Sequence, residues 1–99
     1  MRLLIEMNFK EISVVEALKM FESGDYLILD VRSLGEFDDY HHKDALHIVL
    51  NNDFEGNISK FDREKKYLVH CLSGARSHIA CQIMKKLGFV DVYNVLGPM

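Results

Sequence analysis

The sequence is short of several things at once. It holds two cysteines in 99 residues, too few to staple a small secreted fold with disulfides. It has no basic excess: 12 lysines and arginines against 15 acidic residues leave a net charge of −3. That balance offers little to a phosphate backbone and argues against a general nucleic-acid binder. No apolar run is longer than a few residues, so no membrane span is expected. Met1–Ile5 has the look of a leader, but Glu6 and Asn8 cut the apolar stretch short and no small-residue cleavage site follows. Repeats, low-complexity tracts and linkers are missing too. What remains is the expectation of one domain over residues 1–99, long enough to bury about two-thirds of its unfolded surface. The expected setting is cytoplasmic, reduced and soluble.

The apolar pattern alternates between two periods. Ser13 opens a helix as its cap, with Glu16 three residues on, and Val14, Val15, Leu18 and Phe21 recur at helical spacing until Gly24. Tyr26–Leu29 is a continuous apolar run, the mark of a strand buried on both faces, and it stops at Asp30-Val31-Arg32. Ser33–Tyr40 suits a short helix capped by Ser33 with Glu36. Ala45–Leu50 reads as a third strand, Phe54–Phe61 as a loop with a weak helix, and Tyr67–His70 as a further strand. A helix over Ser77–Leu87 carries Ile79, Ala80, Ile83, Met84 and Leu87 on one face and is stopped by Gly88; Val90–Val95 is a last strand. Strands alternating with helices predict an α/β domain with a mostly parallel central sheet covered by helices on both faces. Ligands of such sheets bind beyond the carboxyl ends of the strands, where Cys71 and Asp30-Val31-Arg32 both fall.

Residues 71–77 read Cys-Leu-Ser-Gly-Ala-Arg-Ser, between a strand and a helix. Such a turn aims backbone N–H groups and the positive end of a helix at one point. A cysteine placed there is favoured as its thiolate, the nucleophilic form. Gly74 permits a backbone conformation that a Cβ forbids, and Arg76 adds a cation with forked donors whose position at a helix start calls for an anion partner. Cys71 is the candidate nucleophile, and Leu72, Ser73, Gly74, Ala75, Arg76 and Ser77 are the candidate substrate-binding loop. The Ser73 and Ser77 hydroxyls lie near the sulfur, yet Ser77 suits a helix cap equally well. Asp30 is read as support for the site, and Arg32 as either support or substrate attraction. Cys81, among apolar neighbours, is read as core. His70 should point away from its neighbour Cys71, and the histidines show no metal-ligand spacing, so no metal is expected.

The succession Asp30-Val31-Arg32-Ser33, Glu36-Phe37, His41, Cys71 to Ser77, Leu87-Gly88-Phe89 and Val92-Tyr93-Asn94 resembles a single-domain rhodanese, most strongly over residues 12–97. The resemblance implies the rhodanese-like three-layer fold and a cysteine that takes a sulfane sulfur from thiosulfate or a persulfide donor. That sulfur is held as a persulfide and passed to an acceptor thiol, either a small thiol or a thioredoxin-like protein, with no cofactor. The chain departs from the pattern in four places. Leu72 stands where many members carry a cation, so weak thiosulfate turnover is expected. Asp44 replaces the glycine of the H-I-x-G-A segment, and Val49 the proline after the third strand. Members usually continue into a Gly-Gly turn and a further helix, whereas this sequence ends Gly97-Pro98-Met99. That helix is therefore either dispensable or removed by truncation, and the expected fold lacks it.

Two other functions compete. A cysteine phosphatase or arsenate reductase encloses a tetrahedral anion with five residues between cysteine and arginine; here there are four, Leu72 to Ala75, and the smaller ring suits a lone sulfur. A non-catalytic interaction module of the same fold would more often lose Cys71 or Arg76, and both are present. The altered His41–Asp44 segment and the absent helix would then expose apolar surface for a partner.

Overall fold

The computed structural model describes residues 8–99; the leader-like stretch Met1–Ile5 lies outside them. In chain order the elements are β1 (Lys10–Ile12), α1 (Val14–Glu22), β2 (Tyr26–Asp30), α2 (Leu34–Asp39), β3 (Leu46–His47), α3 (Phe54–Ile58), β4 (Lys66–His70), α4 (Ala75–Lys86) and β5 (Asp91–Val95). The strands form one sheet in the order β1-β5-β4-β2-β3, and every pairing is parallel. β4 is thus the middle strand, and the turn that leaves it is flanked by the ends of β2 and β5.

Alternation along the strands divides the core in two. Leu29, Val69 and Val92 point to one side and pack with Phe54 and Ile58 of α3 and with Ala80, Cys81 and Met84 of α4. Ile28, Leu68 and Val95 point to the other, where Ala17 of α1 and the terminal Met99 close the layer. The result is three layers, helix–sheet–helix, as the alternating pattern implied. Among the described residues no helix is long and apolar enough to cross a membrane.

Four expectations are corrected. β1 was not foreseen: three residues, Lys-Glu-Ile, two of them exposed, carry no apolar run to read. β3 is two residues, not the six of Ala45–Leu50. Beyond His47 the chain leaves the ladder, although Ile48 and Leu50 still donate to the carbonyls of Asp30 and Val31. On α1 the Ser13 cap forms as expected, its hydroxyl accepting from the Glu16 N–H at 3.1 Å. The buried face, however, runs through Val14, Ala17 and Phe21, leaving Val15 64% and Leu18 38% exposed. Those two lie about 100° further round the helix, and Ala17, too small to weigh in a pattern of large apolar residues, marks the true contact. On α4, Ile79 is exposed, while Ala80, Met84 and Cys81 are buried as expected.

The corrected α1 face has a direct test. Val15→Lys should change stability by no more than about 0.5 kcal/mol, whereas Phe54→Ala, which empties a fully buried site, should cost about 3–5 kcal/mol. Urea unfolding of the two variants reads both.

Candidate active site

The turn from β4 into α4 is built around Gly74, the N-cap of α4, at φ +98°. That left-handed conformation costs a residue with a Cβ, and a Cβ here would also stand 3.0 Å from Leu96 Cδ2. It allows the turn to fold back over the sulfur. The Gly74 N–H donates to Cys71 Sγ at 3.2 Å and the Ser77 N–H at 3.4 Å, with the Ser77 hydroxyl also 3.4 Å away. Cys71 is fully buried. Burial pushes its thiol up, but the Ser77 hydroxyl and the N–H groups of Ser77, Gly74 and Ser73 outweigh it and hold the pKa below the ordinary thiol value. Cys81, also buried, has no such donors among the described residues, and burial, followed by the negative charges of Glu11 and Cys71, pushes it far up.

The structure places the remaining candidate residues as follows. Leu72 and Ser73 form the exposed outer side of the loop, Ser73 contributing through its N–H, and Ala75 is the exposed first residue of α4. Ser77 is not the cap that the sequence allowed. α4 starts two residues earlier, and the Ser77 hydroxyl donates to Asn94 Oδ1 at 2.5 Å. Arg76 has found its anion inside the chain, forking onto both oxygens of Glu36 at 2.6 and 3.0 Å. The same carboxylate accepts from the Ser33 N–H to complete the α2 capping box, so one side chain fastens α2 to the loop. The Arg76 fork, followed by the Ser33 N–H, draws Glu36 down to about 2.

Asp30 and Arg32, on the neighbouring strand end, pair with each other. The Arg32 guanidinium bonds both Asp30 oxygens at 2.8–3.1 Å and donates onward to the Tyr40 carbonyl at 2.6 Å. Burial pushes Asp30 up, yet the Arg32 hydrogen bonds win and its pKa is lowered. Arg32 thereby ties β2 to the segment after α2. Among the described residues no cluster of three or more metal-binding side chains occurs.

Three participants escaped the sequence reading. Glu36 was seen only as a cap residue. Asn94 is fully buried on β5, its Nδ2 donating to Gly74 O and Glu11 Oε2, both at 3.1 Å. Glu11 lies on the unforeseen β1, directly opposite Asn94 in the parallel register. Register between β2 and β4 likewise sets buried His70 beside Asp30. Among the described residues His70 Nε2 has no hydrogen-bond partner, standing 3.7 Å from Asp30 Oδ2. His70 shares the Leu68 face and Cys71 the Val69 face, as alternation requires, so His70 is not placed to act as the thiol's base.

The α/β/α sheet that carries this cysteine is shared with known proteins. The profile of the Rhodanese-like domain matches residues 13–99. The chain belongs to the rhodanese-like family. Thiosulfate sulfurtransferase GlpE of Coxiella burnetii is 34% identical, over 92% of this chain and 84% of that protein. The crystal structure of a rhodanese-like domain protein from Staphylococcus aureus superposes with a TM-score of 0.79 at 28% identity, covering 92% of this chain and 88% of that one. An NAD-dependent persulfide reductase from A. fulgidus contains a similar unit: TM-score 0.69, 33% identity, 92% of this chain and 15% of the other.

The two buried thiols of this rhodanese-like chain should separate in reactivity. Alkylation of Cys71 should show a pH midpoint below the free-thiol value of about 8.5, while Cys81 should stay unmodified until the protein unfolds. Iodoacetamide rates across pH, read by peptide mass, check both.

Proposed function

We propose that the chain is a sulfurtransferase or persulfide carrier whose reacting atom is Cys71 Sγ. The observation that carries this reading is the convergence of backbone N–H groups and one hydroxyl on that sulfur. Two of the donors are backbone groups that keep their positions whichever sulfur species is present. The Cys71 thiolate attacks the sulfane sulfur of the donor, the donor's S–S bond breaks, and its electron pair leaves with sulfite or a thiolate. The outer sulfur of the Cys71 persulfide then faces the attack of an acceptor thiolate, which takes that sulfur and returns Cys71 to its thiolate. No net electrons enter or leave, so no cofactor is called for. The loop, Leu72, Ser73, Gly74, Ala75, Arg76 and Ser77, surrounds the transferred sulfur, and Asp30 and Arg32 support it from the adjacent strand end.

The charge pattern favours donors of low charge. Both arginines of the site already face a carboxylate, Arg76 that of Glu36 and Arg32 that of Asp30, and the residue after the cysteine is the exposed, apolar Leu72. A thiosulfate dianion therefore meets little uncompensated positive charge, whereas a small-molecule or protein persulfide loses less. The acceptor is a small thiol or a thioredoxin-like protein. The setting that suits this chemistry is the cytoplasm, where free thiols stay reduced. The four-residue spacing between Cys71 and Arg76, with the arginine engaged by Glu36, speaks against a phosphatase.

Intact-protein mass after incubation with a sulfur donor should show the gain of one sulfur atom, absent in Cys71→Ala; no gain with any donor removes the proposal. Leu72→Arg should improve KM for thiosulfate a few-fold, the worth of about 1 kcal/mol or less for a partly exposed charge contact, and the gain should fade with salt. An unchanged or salt-insensitive KM would mean that the apolar residue does not set donor choice.

A further inference from the structure

The Ser77 hydroxyl owns one proton and has two acceptors. Asn94 Oδ1 lies 2.5 Å from its oxygen and Cys71 Sγ 3.4 Å. The Asn94 carboxamide cannot turn over to change this. Its Nδ2 faces two acceptors, Gly74 O and Glu11 Oε2, and a flip would set oxygen against oxygen on both. Oδ1 is therefore committed to Ser77, in a pair from which solvent is excluded on both sides, and a buried acceptor without its donor is costly.

We propose that Asn94 is a positioning residue that competes with Cys71 for the Ser77 proton, so that the hydroxyl follows the charge on the sulfur. With Cys71 a thiol, Sγ–H donates to Ser77 Oγ and the Ser77 O–H donates to Asn94 Oδ1. When the thiol ionises, its proton leaves for solvent. Ser77 keeps its own proton and turns it onto Sγ, and Oδ1 loses its donor. Once a persulfide forms, the charge sits on the outer sulfur, within reach of the loop N–H groups, and the Ser77 O–H returns to Asn94. Asn94 thus opposes ionisation of the resting thiol and draws the hydroxyl off Sγ after sulfur is loaded. The titratable groups around this chain of contacts are Glu11 of β1 and His78 of α4 beyond Asn94, Arg76 and Glu36 at the loop, Asp30 at the end of β2, His70 at the end of β4, and Cys81 in α4.

The proposal rests on Cys71 as the sulfur acceptor, yet its test reads ionisation alone. The pH midpoint of Cys71 alkylation by iodoacetamide is measured in Asn94→Ala and Asn94→Asp. Removing the competing acceptor should lower the midpoint by about half a unit to one unit, the worth of one hydrogen bond. An aspartate, a stronger and charged acceptor, should raise it. A loop merely loosened by loss of the Nδ2 contacts would shift both variants upward, and that result overturns the proposal. In a Ser77→Ala background Asn94→Ala should have no further effect; a persisting shift overturns it too. The unsubstituted protein supplies a readout that needs no variant at position 94. The Asn94 side-chain carbonyl carbon should shift in NMR with the Cys71 midpoint, and do so equally in His78→Gln, which separates it from that imidazole. A carbonyl carbon that stays flat through the thiol titration contradicts the shared proton. Opposite shifts in a chain that takes up no sulfur would uphold the switch and refute only the transferase reading.

Discussion

A buried thiolate is tolerable only if donors replace the water it loses, and at Cys71 that requirement falls on one backbone angle. Gly74 at φ +98° turns the loop so that its own N–H and that of Ser77 meet at the sulfur. The surrounding contacts hold this turn in place. The sheet sets β4 between β2 and β5, so the loop emerges with a strand end on either side. From one side Glu36 grips Arg76; from the other Asn94 grips the Gly74 carbonyl. A Cβ at Gly74 would press against Leu96 Cδ2 at 3.0 Å, in a left-handed conformation that a side chain already disfavours.

The site's formal charges are compensated in pairs, Arg32 with Asp30 and Arg76 with Glu36. The pull on the sulfur therefore comes mainly from dipoles, which hold an anion in place but attract one from a distance poorly. A fixed cradle with little long-range field suits a sulfur delivered by contact more than a dianion captured from solution. The exposed apolar residues of the strand-end loops, Leu72 and Leu96 among them, agree with that division of labour.

The fold was legible wherever short continuous apolar runs or caps did the specifying: the central strands, the Ser13 and Ser33 caps and the glycine stops. It was hidden where burial rests on small or polar residues. Ala17 carries the α1 contact but weighs little in a hydrophobic pattern, and β1 is held by register with β5 and not by composition. Cys71 and its loop were legible as a candidate site because a contiguous motif encodes them. Their partners were not, since Glu36, Asn94 and Glu11 lie 40, 20 and 67 residues from Arg76, Gly74 and His78, the residues of the turn and of α4 that they contact. Strand order brings them together, joining β1 to β5 and β5 to β4 for Glu11 and Asn94, and β2 to β4 for Glu36, which follows β2 on α2. Arg76 shows the limit of local reasoning: a cation at a helix start does call for an anion, and the anion lay inside the chain.

On this geometry the reactivity of Cys71 depends on the Gly74 turn. Gly74→Ala tests it most directly, with circular dichroism and thermal unfolding confirming that the α/β fold persists. If the claim holds, the Cys71 alkylation midpoint rises to about 8.5 or above, because burial remains while the converging N–H groups are lost. Sulfur uptake from a persulfide donor falls with it. A folded Gly74→Ala protein whose thiol still titrates as low as that of its parent would contradict the account.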